Sequence, residues 1–391
     1  MDRPVIRLRP KADVARIRRG APFLGPQDLV LDRRARSLAP GTIATLEDAT
    51  RAPLATVAVA PEARLAARVL DRDPAATVDD AWIARRIERA AALRARLFER
   101  PFFRLVHAEG DALPGLIVDR FGDAAAIQPN AAWIDGRLGA VIAALEGLGV
   151  ERVVVNGTAR ARAAEGLPDR LEVVRGRVDG PVEVPMNGAV YLADLVGGQK
   201  TGLFYDQREN HRFAAAVAGP EVLDAFSHVG GFGLAMLAGG AERATLVDAS
   251  AAALALAEGG AARMGRTVET IRSDAFDALA ALRSEGRAFD TVICDPPAFA
   301  PSKAAREAGL RAYERIAFLA APLVRPGGVL GLCSCSHAAD LEAFRAASLR
   351  GVGKARRAAA ILRTGFAGPD HPVHPMLSGT GYLKALFLRL A

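Results

Sequence analysis

The chain has 391 residues, of which 51% are hydrophobic and 24% charged, so it is long and apolar enough for two or three globular domains. It contains no run of eighteen apolar residues and opens on no charged-then-apolar leader, which predicts a soluble, cytoplasmic protein without a membrane partner. Its three cysteines, Cys294, Cys333 and Cys335, form neither a disulfide framework nor a zinc pattern, so we expect free thiols and no metal.

The positive charge is concentrated near the start of the chain. The formal net charge is +7, and residues 1–36 contain ten basic and four acidic side chains, so the remaining residues are almost neutral. A basic segment suits a polyanion, because each neutralised phosphate releases counterions. The sequence therefore favours a nucleic-acid partner, and a solvated basic arm that aids solubility is the alternative.

Two segments with different patterns come first. Residues 1–73 consist of short apolar runs broken by Gly and Pro, which predicts a small β-rich domain. Residues 74–195 predict a small α+β domain that begins with an amphipathic helix at 79–99, whose polar faces are rich in arginine. The other elements predicted for these two segments are strands at 5–8, 29–31, 42–46, 55–59, 64–69, 103–106, 116–119, 124–128 and 152–156, and a helix at 134–146.

Strands alternate with helices from residue 196 to residue 391. This alternation predicts parallel strands joined by right-handed crossovers, the doubly wound α/β sheet of Rossmann-like domains. Ligands of such a sheet bind at the carboxyl ends of its strands, so functional residues should directly follow a strand. The predicted strands are 222–226, 244–248, 268–272, 291–295 and 329–333, and the predicted helices are 232–238, 251–264, 276–283 and 304–323.

The first three strand ends predict a nucleoside cofactor. The first strand runs into Ser-His-Val-Gly-Gly-Phe-Gly at 227–233, where glycines let the backbone approach a ligand and expose helix N-terminal amides. The second ends at Asp248, where a carboxylate accepts hydrogen bonds from ribose hydroxyls. Together they do not choose between NAD and S-adenosylmethionine. Asp274, at the third strand end, is placed to meet an adenine amino group, to cap the next helix, or both.

The fourth strand end decides against a dehydrogenase. It runs into Asp-Pro-Pro-Ala-Phe at 295–299, where two prolines stop the strand and fix a rigid turn. NAD enzymes have no use for this motif at this position. The motif resembles the Asp-Pro-Pro signature of methyltransferases that act on planar bases, in which the turn frames the base beside the methyl donor.

The fifth strand end carries a cysteine. Carbon 5 of a pyrimidine is a poor nucleophile, and thiolate addition to carbon 6 allows the ring to attack a methyl-sulfonium. Strand alternation sends Cys333 and Cys335 to one face, and Cys335 lies nearer the end of the strand. We therefore predict Cys335 as the nucleophile. Cys294 and Cys333 lie within strands and fit the alternative of a buried cysteine that acts as a small apolar side chain.

Five motifs in this order resemble the large-subunit ribosomal RNA cytosine-5 methyltransferases of the PUA-domain type, over most of the chain. The resemblance implies a PUA-like RNA-binding domain at 1–73, a small α+β middle domain at 74–195 and a class I methyltransferase domain at 196–391. It implies 23S ribosomal RNA as the partner and S-adenosylmethionine as the cofactor, with S-adenosylhomocysteine as the product, and it allows a homodimer. The motifs lie at 197–202 with 206–208, at 226–232, at 295–299, at 334–336 and at 370–372.

The resemblance also implies which residues form the site. The catalytic set is Cys335, Asp295 and Pro296. The segment 206–208 would close the site, and its arginine would meet a phosphate or the cofactor carboxylate, or else form a structural ion pair. The implied cofactor-binding residues are Phe226, Ser227, His228, Gly230, Gly231, Asp248, Ala249, Ser250, Asp274, Ala275, Asp295, Asp206, Gln207 and Arg208.

Two other functions stay open. The Asp-Pro-Pro-X-Phe turn also serves methyl transfer to an amino group, where a nitrogen lone pair makes a thiol unnecessary. An RNA methyltransferase that acts on a guanine nitrogen is therefore the first alternative. The second is a non-catalytic RNA-binding or assembly protein that has kept the fold and whose cofactor pocket need bind nothing.

Overall fold

The computed structural model describes residues 3–198 and 202–391. Three residues of the motif at 197–202, Gln199, Lys200 and Thr201, lie outside the described residues, as does Asp2 of the basic segment. Within the described ranges, no helix combines the length and the apolar character that a membrane crossing requires.

The chain divides into two compact units. The first contains the described parts of Met1–Asp179 and Leu195–Thr201, together with Asp370–Leu377. The second contains Gly180–Asp194, Gly202–Pro369 and Ser378–Ala391. Each unit thus takes segments from distant parts of the chain, which hydrophobic periodicity does not reveal.

The first unit begins with a six-stranded sheet. Its strands are β1 Val5–Leu8, β2 Phe23–Leu24, β3 Leu29–Val30, β4 Thr42–Glu47, β5 Pro53–Val59 and β6 Ala67–Asp71, with short helices α1 Val14–Arg18 and α2 Arg33–Arg36 between them. The strand order is β2-β6-β5-β4-β1-β3, and only β1 and β4 pair in parallel. All five predicted strands are present. The short helices were not predicted, since α1 buries only Ile17 and gives no helical periodicity.

A five-stranded sheet completes the first unit. Its elements are α3 Asp80–Leu97, β7 Phe102–His107, β8 Leu116–Phe121, β9 Ala124–Pro129, α4 Ala132–Asp135, α5 Leu138–Gly147, β10 Arg152–Gly157, α6 Arg160–Ala163 and β11 Arg170–Arg175. The order is β11-β10-β9-β8-β7. Only β9 and β10 pair in parallel, and they are joined through α4 and α5, because parallel strands need a crossover.

Helix α3 follows the predicted amphipathic pattern. Asp79 accepts a hydrogen bond from the Trp82 backbone N–H at 2.7 Å and so caps the first turn. Trp82, Ile83 and Ile87 are buried in the core of the first unit. The helix predicted for residues 79–99 is confirmed to within two residues at each end.

The second unit is built on a seven-stranded sheet. Its elements are β12 Val182–Met186, β13 Ala189–Ala193, α7 Arg208–Val217, β14 Glu221–Ala225, α8 Gly231–Ala238, β15 Arg243–Asp248, α9 Ala251–Arg263, β16 Glu269–Arg272, α10 Ala275–Ser284, β17 Phe289–Cys294, α11 Arg306–Ala320, β18 Val324–Ser334, α12 Leu341–Lys354, β19 Ala359–Gly365 and β20 Lys384–Leu390. The sheet order is β16-β15-β14-β17-β18-β20-β19, and β12 and β13 form a separate hairpin.

The predicted doubly wound sheet is confirmed, with one difference. The five predicted strands, β14 to β18, are parallel to one another. Strand β20 is antiparallel to both of its neighbours, β18 and β19. The sequence analysis missed both β19 and β20. The apolar run at 385–388 in β20 is buried on both faces, and such a run has no period that separates a strand from a buried helix. Strand β19 is mostly exposed and shows no apolar alternation.

A buried ionic network lies on the apolar face of α3. Arg94 is fully buried, and its guanidinium donates to both carboxylate oxygens of Asp111, at 2.6 and 2.7 Å, and to the backbone oxygen of Asp370 at 2.9 Å. The Asp370 carboxylate accepts a hydrogen bond from the Arg104 backbone N–H at 3.0 Å. The motif at 370–372 therefore belongs to the core of the first unit, where burial lowers the pKa of the neighbouring His107 to about 2.

Replacing Arg94→Met should destabilise the first unit. The change leaves the Asp111 carboxylate and the Asp370 carbonyl without their partner, and breaking a buried ion pair on one side costs about 3–5 kcal/mol. We expect a loss of this order in the free energy of unfolding, measured by urea denaturation. Arg96→Met on the exposed face of the same helix is the matched control and should cost less than about 0.5 kcal/mol. Equal losses in the two variants would contradict a role for the network.

Candidate active site

The turn after β14 has a strained backbone. Three of its residues have positive φ: Phe226 at 63°, His228 at 49° and Gly230 at 82°. Glycine adopts this conformation freely, whereas each other residue type loses roughly 1–2 kcal/mol in it. Backbone strain of this kind clusters at ligand-binding turns. The strain therefore favours a ligand-binding role for the turn that was predicted from the glycines at 230–233, in addition to its role in reversing the chain.

Two glycines let helix α8 approach its neighbours closely. A Cβ added at Gly230 would lie 3.1 Å from Cβ of Ala257, which belongs to α9. A Cβ added at Gly233 would lie 2.2 Å from Cδ2 of Leu246, which belongs to β15. Both positions require glycine, so the start of α8 is held against the sheet directly beside the turn.

Asp224 fixes the start of this helix, and the sequence analysis missed it. One carboxylate oxygen accepts hydrogen bonds from the backbone N–H groups of Phe232 at 3.1 Å and Gly233 at 2.7 Å. Burial raises the pKa of Asp224 to about 7, the negative charge of Asp248 adds to the shift, and the two N–H groups oppose it. The available signal was a carboxylate inside the otherwise apolar strand at 222–225.

Asp248 links the glycine turn to the end of β15. One of its carboxylate oxygens accepts a hydrogen bond from the His228 backbone N–H at 2.8 Å, and the other accepts from Ser250 N–H at 2.8 Å. Ser250 in turn caps α9, and Ala249 is exposed beside it. Since a carboxylate has about four acceptor positions, Asp248 can still receive ribose hydroxyls.

Asp274 is a helix cap at the end of β16. Its carboxylate accepts hydrogen bonds from the backbone N–H groups of Phe276 at 2.8 Å and Asp277 at 3.4 Å, which is the capping role considered for it. The side chain is otherwise exposed, and Ala275 is buried beneath it. An exposed carboxylate with free lone pairs remains open to an amino group.

Three aromatic rings bring three strand ends together. Phe226 follows β14, Phe276 follows β16 and Phe299 follows β17. Their ring centroids are 6.4 Å apart for Phe226 and Phe276, 6.3 Å for Phe226 and Phe299, and 5.9 Å for Phe276 and Phe299. All three are half-buried. The rings form an apolar wall that suits a planar base, and of the three only Phe226 was among the predicted site residues.

The segment before α7 is buried beside the glycine turn. Asp206, Gln207 and Arg208 are 8%, 3% and 9% exposed, and the ring of Phe204 lies 5.1 Å from that of His228. One Asp206 carboxylate oxygen accepts a hydrogen bond from the Tyr382 hydroxyl at 2.6 Å. This segment and the glycine turn are therefore neighbours in the second unit.

Cys335 lies in a loop that is held from two sides. It is the first residue after β18, and its neighbours Ser334 and Ser336 are fully buried. The Tyr313 hydroxyl bonds Oγ of Ser334 at 2.8 Å and Oγ of Ser336 at 2.6 Å. Oγ of Ser336 also accepts a hydrogen bond from the Ala300 backbone N–H at 2.9 Å. These bonds tie the cysteine loop to the loop that begins at the end of β17.

The three thiols differ in their surroundings. Cys294 and Cys333 are buried, whereas Cys335 is half-buried. Burial raises the pKa of the Cys294 thiol and that of the Cys333 thiol, and the charge of Asp295 adds to both shifts. The buried pair therefore stays protonated, and Cys335 is the most exposed of the three thiols.

Asp295 and Pro296 follow β17 directly. The Asp295 backbone N–H donates to the Ala225 carbonyl at 3.2 Å, which aligns the proline turn with the end of β14. Asp295 is half-buried and Pro296 is buried, whereas Pro297 and Ala298 are exposed. The rigid turn thus starts at the edge of the sheet with a buried proline, and its next two residues are exposed to solvent.

The residues around the turn suit an S-adenosyl cofactor. The unpaired buried oxygens among the described residues include two beside this turn, Asp206 Oδ1 and Ser227 Oγ. Buried oxygens are normally paired, so these two can accept hydrogen bonds from a ligand. Amino and hydroxyl groups of such a cofactor would supply donors, and Asp248 and the aromatic wall suit its ribose and its adenine.

Two family models match the chain. Residues 169–359 match an S-adenosylmethionine-dependent methyltransferase, and residues 6–72 match a PUA-like domain. A curated protein of Deinococcus radiodurans named ribosomal RNA large subunit methyltransferase is 34% identical over 99% of this chain and 98% of its own length. A ribosomal RNA large subunit methyltransferase I of Aeromonas salmonicida is 35% identical over 83% of this chain and 85% of its own.

This chain belongs to the family of the large-subunit ribosomal RNA methyltransferases. It is an S-adenosylmethionine-dependent methyltransferase, as predicted.

Solved structures agree with the fold. A candidate S-adenosylmethionine-dependent methyltransferase from Streptococcus mutans superposes with a TM-score of 0.80 over 99% of this chain and 100% of its own, at 18% identity. A structure described as a methyltransferase complexed with S-adenosylhomocysteine superposes with a TM-score of 0.81 over the whole of both chains, also at 18% identity. The predicted class I methyltransferase fold with an N-terminal PUA-like domain is confirmed.

The Asp224→Asn variant should become more stable relative to the wild type as the pH rises. The pKa of Asp224 is about 7 in the folded chain and near 3.8 when exposed, so the folded state binds the extra proton between these values. Wild-type stability therefore falls as the pH rises through this window, whereas asparagine keeps an acceptor oxygen without the titration. Urea unfolding should show the variant gaining about 2 kcal/mol on the wild type between pH 5 and pH 7.

Asp277→Asn, at an exposed carboxyl, is the control and should follow the wild-type pH dependence. A constant difference between Asp224→Asn and wild type across this range would contradict the raised pKa.

Proposed function

We propose that this methyltransferase transfers a methyl group to carbon 5 of a cytosine in large-subunit ribosomal RNA, through a covalent adduct with Cys335. The substrate class is supported by the names of the curated relatives, which the chain matches over nearly its full length. The observation that carries the covalent mechanism is the position of Cys335. It is the one half-buried thiol of the three, and it directly follows a central strand in a loop fixed by Tyr313.

The cofactor would lie along the ends of β14, β15 and β16. When bound, S-adenosylmethionine supplies an electrophilic methyl group and is left as S-adenosylhomocysteine. Asp248 would accept the ribose hydroxyls, Asp274 the adenine amino group, and Asp206 a donor of the amino-acid part. The residues we assign to this site are Phe226, Ser227, His228, Gly230, Gly231, Asp248, Ala249, Ser250, Asp274, Ala275, Asp295, Asp206, Gln207 and Arg208.

The catalytic set would be Cys335, Asp295 and Pro296. The target base must leave its stack to reach the strand ends, where the rigid turn at 295–297 and the Phe299 ring would frame it. The Cys335 thiolate bonds carbon 6, and the ring electrons then form the new bond from carbon 5 to the methyl group. A base removes the carbon-5 proton, the bond from sulfur to carbon 6 breaks, and the thiolate is regenerated.

The PUA-like domain would provide a basic surface for the RNA. Several of its basic residues serve the fold instead: the Arg3 guanidinium donates to Thr56 and to two backbone oxygens, and Arg7 pairs with Glu47. Arg33 and Arg34 are exposed on α2 and form no ion pair among the described residues. Exposed arginines also follow one side of α3, at Arg85, Arg89 and Arg96.

Replacing Cys335→Ala tests the chemistry. Without the thiolate, carbon 5 is not activated, and the rate of cytosine-5 methylation should fall by at least three orders of magnitude, measured in single turnover on ribosomal RNA with mass-spectrometric mapping of the product. Cys333→Ala is the matched control, since Cys333 is buried two residues earlier in the chain, and it should keep the rate within about tenfold.

Unchanged methylation by Cys335→Ala, with the methyl group on a guanine nitrogen, would contradict the covalent mechanism and establish the first alternative. An absence of both cofactor binding in calorimetry and methyl transfer by the wild type would instead favour the non-catalytic RNA-binding protein.

Replacing Arg33→Ala and Arg34→Ala together tests the RNA surface. Each lost phosphate contact should reduce the slope of log affinity against log salt by about 0.7–0.9, so the double variant should lose up to about 1.4–1.8 in slope, measured by filter binding. The control is Arg175→Ala with Arg177→Ala, exposed arginines of the same unit that pair with Glu146 and Asp179. Identical slopes for wild type and the Arg33/Arg34 variant would show that α2 does not contact the RNA phosphates.

A further inference from the structure

Lys384 is buried beneath the cysteine loop. It is the first residue of β20 and lies directly opposite Ser334 in the antiparallel pair of β18 and β20. Only 4% of its surface is exposed. The sequence analysis gave this residue no role, because the strand that carries it was not predicted.

Backbone oxygens of the cysteine loop surround the ammonium group. Nζ of Lys384 donates to the carbonyl of Ser336 at 2.7 Å and to the carbonyl of Ala339 at 2.7 Å. Within the described part of the chain, no carboxylate oxygen lies within 4 Å of it. A buried charge costs several kcal/mol unless it is paired, and two carbonyl dipoles compensate it only in part. A negative charge nearby would therefore stabilise the buried Lys384 ammonium.

Cys335 is the group that can carry this charge. Burial lowers the pKa of Lys384, and the negative charge of a Cys335 thiolate opposes that shift most among the neighbouring groups, followed by Asp340. Other ionisable side chains around the loop are Tyr313 of α11, which bonds both serines beside Cys335, and His337, two residues further along the chain. The Tyr382 ring lies 5.5 Å from that of His337, and the exposed Arg306 pairs with Asp340. Among these, Lys384 is the buried cation.

We propose that Lys384 is a positioning residue for Cys335, which holds the cysteine loop through two carbonyls and stabilises the thiolate that attacks the pyrimidine. The proposal rests on the covalent mechanism proposed above. The thiol proton leaves to solvent before the attack, the thiolate bonds carbon 6, and the ammonium keeps its own three protons throughout. Lys384 thus acts through Cys335 and does not touch the substrate.

The rate of Cys335 alkylation by iodoacetamide tests this directly, because only the thiolate reacts. The full-length chain is labelled between pH 5.5 and pH 9.5, and the Cys335 peptide is quantified by mass spectrometry. In Lys384→Gln, which keeps hydrogen-bond donors but loses the charge, the rate at pH 7 should fall about tenfold and the profile should shift to higher pH by about one unit. Lys384→Arg should lie close to wild type.

Two controls isolate the charge. Lys354→Gln removes an exposed lysine that pairs with Glu314 in the same unit, and it should leave the Cys335 profile unchanged. His337→Gln should do the same, since the proposal gives His337 no part in the effect. A Lys384→Gln profile that coincides with the wild-type profile would overturn the proposal, as would an equal shift in either control.

A second measurement needs no substitution at Lys384. The chain has five lysines, so the lysine side chains can be labelled with ¹³C and followed by NMR titration. Because coupling between two sites is reciprocal, Cys335→Ala should lower the pH at which Lys384 loses its proton, and an unchanged Lys384 titration would overturn the proposal. Methylation by Cys335→Ala is a separate readout: activity there rejects the covalent mechanism, while the alkylation profiles still decide the coupling of Lys384 to Cys335.

Discussion

The hydroxyl of Tyr313 is the contact on which the geometry of the site depends. It bonds both serines that flank Cys335, and one of these serines also binds the backbone of Ala300 in the loop that follows the Asp-Pro-Pro turn. A cysteine at a strand end is useful only if the loop after the strand is fixed, because an error of about 1 Å in placing reacting groups can cost 100-fold in rate. The hydroxyls of Tyr313 and Ser336 together thus join the loop that follows β17 to the end of β18.

Two carboxylates also fix the backbone around the ends of β14 and β15. The carboxylate of Asp224 holds the first amides of α8, and Asp248 holds the backbone of the glycine turn at His228. Leaving Asp224 charged in an apolar strand is unfavourable, which is why its pKa rises to about 7. The Asp224 carboxylate thereby fixes the start of the helix that follows a turn with two non-glycine residues at positive φ.

Local sequence patterns predicted the parts of the fold and of the candidate site that depend on neighbours in the chain. The five parallel strands, helix α3 and the position of Asp248 at a strand end follow from periodicity and from residues next to each other. The role of Asp224 was missed because a single carboxylate in an apolar strand has no periodic signature. Arg94 likewise continues the apolar face of α3, and only its partners Asp111 and Asp370 explain why a charge is tolerated there.

The antiparallel strand β20 shows why the remaining features required the structure. Forty-eight residues separate Lys384 from Ser336, and no spacing rule links a lysine to a cysteine loop so far away. The reversal of β20 puts its first residue, and not its last, beside the carboxyl end of β18. A parallel strand in the same place would start at the opposite edge of the sheet and bring its first side chain to the wrong end. The direction of one strand therefore decides which charge the cysteine loop meets.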